Sequence, residues 1–147
     1  MHARRAIVNA AATVLAGLVT TGPRVHPGRA DAVNPDEMPC LLVYARQEQS
    51  ESLTTGSANR KLGRMLTLSI EALVSDTSGT DAALDVIAVE VETALAGDPT
   101  LGGACKDLVL VASNIAVSPD GETRVRRIRL DFSVLYHTVA SAPQTAT

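Results

Sequence analysis

The side chains able to do chemistry in this 147-residue chain are few and scattered. His2, His26 and His137 lie far apart, and none has a partner at the spacing of a metal-binding helix or a nucleophile and its base. No Gly-x-Ser-x-Gly elbow is present. The run "GDPTLGGACK" resembles a phosphate loop only loosely, because Gly102 is followed by Gly103 rather than Lys and no Ser or Thr completes the motif. It reads as a turn. Asp81 and Asp85 are one helical turn apart and could form a carboxylate pair, but they sit at a helix start, where solvated acids are expected. No residue therefore stands behind an enzymatic reading, and no catalytic, cofactor-binding or metal-binding residue is expected.

The one charge cluster is Arg124, Arg126, Arg127 and Arg129. On an extended strand Arg127 and Arg129 share the face opposite Phe132, while Arg124 and Arg126 project from the core face near a turn. Such a cluster is either a solvated strand face or a docking surface whose guanidinium groups suit bidentate contacts to carboxylates. Glu48, Glu51 or Glu71 of a neighbouring copy would supply those carboxylates. Arg24, Arg29 and Arg60, on connections elsewhere, complete the set of candidate contact residues.

These positions need a scaffold, and the composition gives one. The chain is 46% hydrophobic, yet Phe132, Tyr44 and Tyr136 are its only aromatics, so any core is aliphatic. One domain of this size buries about 70% of its unfolded surface without staples. A net charge of −3 and a pI near 5.5 supply no field for phosphates, and the shortage of stacking rings further disfavours a nucleic-acid binder. Cys40 and Cys105 each flank an apolar run without a second Cys or His at metal spacing; two free buried thiols is the favoured reading over a disulfide.

Arg4 and Arg5 before "AIVNAAATVLAGLV", with Ala30-Asp31-Ala32 beyond, imitate a secretory signal and its cleavage box. The long basic insert between run and box argues against export. Ile7, Val8, Ala11, Val14, Leu15 and Leu18 recur at helical steps instead, predicting a docked helix that Gly22 and Pro23 terminate. A short extended piece at residues 24–26 and a loop over 27–39 follow. "PCLLVYA" predicts a strand buried on both faces, and the polar residues 46–61 predict a long exposed loop or mobile hairpin. Leu66, Leu68, Ile70, Ala72 and Val74 alternate as one face of a half-buried strand. Ser78 or Thr80 then caps a second helix whose stripe is Leu84, Ile87, Ala88, Val91 and Leu95, with Asp85, Glu92 and Ala96 opposite. Residues 108–117 and a strand with Ile128, Leu130, Phe132, Val134 and Tyr136 on one face form a hairpin around Ser118-Pro119-Asp120-Gly121. The tail, residues 140–147, is expected to be disordered beyond a single domain over 1–139. The implied fold is α+β: a mostly antiparallel sheet of four to five strands with two amphipathic helices packed on one face, plus the loop or hairpin at 46–61.

In this order "TTGPRVHPGRA", "MPCLLVYARQEQSE", "RMLTLSIEALV", "LAGDPTLGG" and "RIRLDFSVLYHT" resemble the tail terminator proteins (minor tail protein U type) of long-tailed bacteriophages. The resemblance spans about Arg4 to Thr138. It implies a non-enzymatic virion protein at the head-proximal end of the tail, assembled in the host cytoplasm. As a hexameric ring it would cap the tail tube, stop polymerisation and join the tail to the head connector. The implied partners are further copies, the tail tube protein, and a connector or neck protein, with DNA passing through the lumen without sequence-specific binding and no membrane involved. A neck or head-completion protein is the alternative. Reversing Arg127 and Arg129 to Glu is expected to leave the fold intact and weaken ring formation.

Overall fold

The computed structural model describes residues 1–28, 35–75, 81–117 and 125–147. Apolar residues at helical spacing make α1 (Ala3–Leu15), whose second amide is capped by His2: its Nδ1 accepts from the Arg4 N–H at 3.0 Å. The helix ends at Leu15, earlier than Gly22 and Pro23 suggest. Gly17 weakens the helix there, and Gly22 instead closes a separate turn with its N–H on the Leu18 carbonyl at 2.9 Å.

The chain then enters β1 (Val25–Pro27), a 3-10 turn at Pro35–Glu37, and two long strands, β2 (Cys40–Ser52) and β3 (Lys61–Ser75). Helix α2 (Asp81–Ala96) follows, then a 3-10 turn at Leu101–Gly103, β4 (Asp107–Val117), β5 (Val125–Val139) and β6 (Ala142–Ala146). The strands run β1-β2-β3-β5-β4, with β6 added to β5 beyond the end of β4. All pairings are antiparallel except β1 with β2, so the protein is α+β with a mixed, mostly antiparallel six-stranded sheet.

Alternation sorts the strands into two faces. On the first, Leu41, Val43, Leu66, Leu68, Ile70, Ala72, Ile128, Leu130, Phe132, Val134 and Tyr136 join the buried residues of both helices in one aliphatic cluster. Helix α1 contacts β1, β2 and β6, and α2 contacts β3, β5 and β4. The α2 residues in that cluster, Leu84, Ile87, Ala88, Val91 and Leu95, are those the heptad-like spacing predicts. Across the sheet, Cys40, Leu42 and Leu73 make a smaller cluster with Met38, Tyr44 and Val125. The strand over Cys40–Val43 is thus buried on both faces as expected, whereas the C-terminal half of β3, residues 68–74, is buried on both faces rather than one.

One polar segment takes the hairpin form that the sequence offered beside a loop, and another departs from the expected disorder. Residues 46–52 continue β2 as one arm of a hairpin, because their backbone pairs with Leu62–Thr67 even though their side chains are mostly exposed. The tail also folds into the sheet: Thr138 pairs with Ala146 and Val139 with Ala142, and backbone hydrogen bonding rather than apolar burial holds it there. The cap residues Ser78 and Thr80, the turn at 118–121 and the Ala30-Asp31-Ala32 box lie outside the described residues.

Candidate interface surfaces

A bulge in β2 governs where the charged residues point. The register with β3 shifts between Ala45 and Gln47, so Arg46 is the extra residue and Glu48 turns to the helix-bearing face. There its carboxylate meets three partners. Arg4 reaches it at 2.8 Å and Arg64 at 3.1 Å, and the hydroxyl of fully buried Tyr136 donates to it. Arg64 also donates to Thr138 at 2.8 Å and lies over the Tyr136 ring. Burial, reinforced by the Glu48 carboxylate, pushes the Tyr136 hydroxyl far above its ordinary range, so it stays a donor. Burial and the adjoining Arg4 and Arg64 lower His2. This cluster fastens the start of α1 to β2, β3 and β5. Glu48 is accordingly an internal anchor rather than an outward contact.

The second face holds another buried polar set. Asp131 Oδ1 accepts from Ser69 at 2.7 Å, Asp131 Oδ2 accepts from Arg46 at 3.1 Å, and Arg129 Nε sits 3.2 Å from Oδ1, at ion-pair distance but off line for a hydrogen bond. One row along, Glu71 accepts from the Tyr44 hydroxyl at 3.1 Å and from Arg127 at 3.4 Å. Burial, then the Glu71 carboxylate, raises the Tyr44 hydroxyl. Glu71 and Asp131 are nearly inaccessible, while the three arginine side chains above them remain partly exposed. The arginines of β5 therefore have acids of their own chain beneath them, and Glu71 does not reach out to a neighbour.

The other candidates divide similarly. Arg24 donates to the carbonyls of Pro39 at 2.7 Å and Thr20 at 3.0 Å, bracing the joint into β2. Arg126 pairs with Asp81 at the start of α2 at 2.7 Å. Glu51 and Arg60 are exposed near the tip of the β2-β3 hairpin. Arg29 and Arg124 lie outside the described residues. Cys40 and Cys105 are both buried thiols; burial, then Asp107, pushes Cys105 up to about 11, which makes it inert. The "GDPTLGG" segment is the expected turn, with Asp98 accepting from the Gly102 N–H at 3.1 Å. Among the described residues no group of three or more His, Cys, Asp or Glu could hold a metal ion, and no helix is long and apolar enough to cross a membrane.

What the sequence reading missed is exposed and apolar. Strand β4 lies at the sheet edge, and Val109, Val111 and Ile115 stand out along it with no charged residue after Asp107. On α2, Val86 and Val89 face away from the core, and on the second sheet face Met65 is exposed beside Leu135. The signal for the α2 valines was present, since positions 86 and 89 fall outside the predicted core stripe. The arrangement as a whole offers guanidinium and aliphatic surface, which suits binding a partner. No protein-family model matches the chain, and no curated protein matches it.

Proposed function

We propose that this chain is a ring-forming structural protein of the tail-terminator type, which caps a phage tail tube, stops its growth and presents a surface to the head connector. In this reading both helices cover one sheet face and leave the other for contacts between copies. The observation that supports it most is that a single copy carries unlike apolar surfaces, on the edge strand β4, on the outside of α2 and around Met65. Closed rings are built from two different patches per subunit, so surfaces of this kind are what a ring subunit needs. The order of segments from the N-terminal helix to "RIRLDFSVLYHT" supports the same assignment. Further copies, the tube protein and the connector are then its partners, DNA passes through the lumen, and the virion is its destination.

Deleting the protein from a phage that encodes it tests this role. Overlong polytubes support a terminator. Finished tails of normal length that fail to join heads would point instead to a neck or head-completion protein.

A further inference from the structure

Helix α2 contains four acidic residues, Asp81, Asp85, Glu90 and Glu92, and no basic one. Asp81 is held by Arg126, and Glu90 accepts from the Thr20 N–H at 3.0 Å and from its hydroxyl. Asp85 and Glu92 have no partner among the described residues. Steps of three and four residues place Ala82, Val86, Val89 and Thr93 along the outer side of the helix, with Asp85 and Glu92 along one border. Val89 is 63% exposed and Val86 53%. This is a second amphipathic stripe, apolar with an acidic margin, on the side the core does not use.

The second sheet face has the complementary arrangement. Arg46, Arg127 and Arg129 cover the buried Glu71 and Asp131, so an approaching group meets guanidinium edges first. Beside them lie Met65, 47% exposed, its cross-strand neighbour Leu135, and Val109 on β4. Glu51 and Asp107 lie toward the far end, accompanied by Lys61 and Lys106. The dimensions agree as well. The 16 residues of α2 make a rod about 24 Å long. The stretch of β5 from Arg127 to Leu135 runs about 26 Å.

We infer that the outer stripe of α2 docks on the second sheet face of a neighbouring copy, a head-to-tail contact with Val86 and Val89 on the Met65 and Leu135 surface and Asp85 and Glu92 toward the arginines. Charge complementarity selects a second copy as the occupant: the helix carries uncompensated acids, and the sheet face presents arginines at one end of an apolar patch. The contact is heterologous, so it leaves one free patch of each kind on every dimer and propagates until a ring closes. The inference deepens the ring reading by naming the two surfaces, and it rests on that reading for the closure of the ring.

The test is sedimentation of the full chain and two exposed-site variants, Val89→Arg and Met65→Glu, with circular dichroism to confirm folding. Each variant alone should self-associate at least about tenfold more weakly than the wild type, since each buries an unpaired charge in the contact. Mixed in equal amounts, they should form a discrete one-to-one complex, because each retains the patch the other has lost. An Ile115→Lys variant, which guards the β4 edge, should assemble like the wild type. Folded variants that keep the wild-type mass, a mixture that stays monomeric, assembly lost in Ile115→Lys but retained in Val89→Arg, or a wild type that never associates would each overturn the inference. A closed ring that survives Val89→Arg refutes the docking surfaces and leaves the ring standing. An open series of oligomers abolished by Val89→Arg supports the surfaces and refutes the ring.

Discussion

The two faces of the same sheet are stabilised in different ways. The helix-bearing face is aliphatic over most of its area, with one polar cluster toward an end, where Glu48 gathers Arg4, Arg64 and Tyr136. The second face buries two carboxylates under three arginines, then becomes exposed and apolar around Met65. The first pattern suits a finished core, since aliphatic packing gains stability with burial. The second leaves arginine heads and aliphatic side chains in solvent at sites a partner could cover, so it suits contact with another molecule.

Breaking each side should give distinct results. The largest loss is expected at the aliphatic face: Phe132 is almost wholly buried, and Phe132→Ala should cost about 3–5 kcal/mol in urea unfolding. Next comes Asp131→Ala, which strips Ser69 and Arg46 of a hydrogen-bond acceptor and Arg129 of its ion-pair partner on the second face. About 2–4 kcal/mol is expected there, measured the same way, because the buried Ser69 hydroxyl loses its acceptor and two partly exposed arginines lose their counter-charge. Reversing both Arg127 and Arg129 to Glu should cost roughly 1–3 kcal/mol, since it sets new negative charge against buried Glu71 and Asp131 while solvent screens part of the repulsion. That outcome differs from the sequence expectation of an intact fold, and it makes this double variant a poor probe of assembly. A thermal midpoint equal to the wild type's would contradict it.

A smaller and pH-dependent effect is expected at Glu90. Burial alone would raise its carboxyl, yet hydrogen bonds from Thr20 and Val19 hold it below the ordinary 4.5. With the folded value depressed, this contact contributes stability above the unfolded value, and the contribution is lost as pH falls through the folded one. Glu90→Gln should therefore lose about 1 kcal/mol or less at neutral pH, with the gap from wild type closing in acid. The smallest effect on the monomer is expected for Val89→Arg, within about 0.5 kcal/mol, because the side chain is exposed. Its consequence should appear in assembly alone.

The helices and the hydrophobic alternation of β3 and β5 were legible because period and burial coincide: the α2 core stripe and the β5 core face are those the spacing predicts. The charged residues were harder to place. Alternation counted through Arg46 puts Glu48 on the wrong face, and only the paired register reveals the bulge. Residues 46–52 and 142–146 lack the apolar pattern that marks a strand, and backbone pairing alone makes them strands. Arg127 and Arg129 were visible as a cluster. Their acids, Glu71 one strand away and Asp131 nearby on the same strand, become partners only through cross-strand register and depth of burial.

The central claim is that copies of this chain close on one another through unlike surfaces. Its most direct test is the mass of the purified wild-type protein by sedimentation, with negative-stain images of the same sample. The account predicts one discrete closed species, a hexameric ring with an open lumen. A monomer at every concentration, or an unbounded series of oligomers, would contradict it.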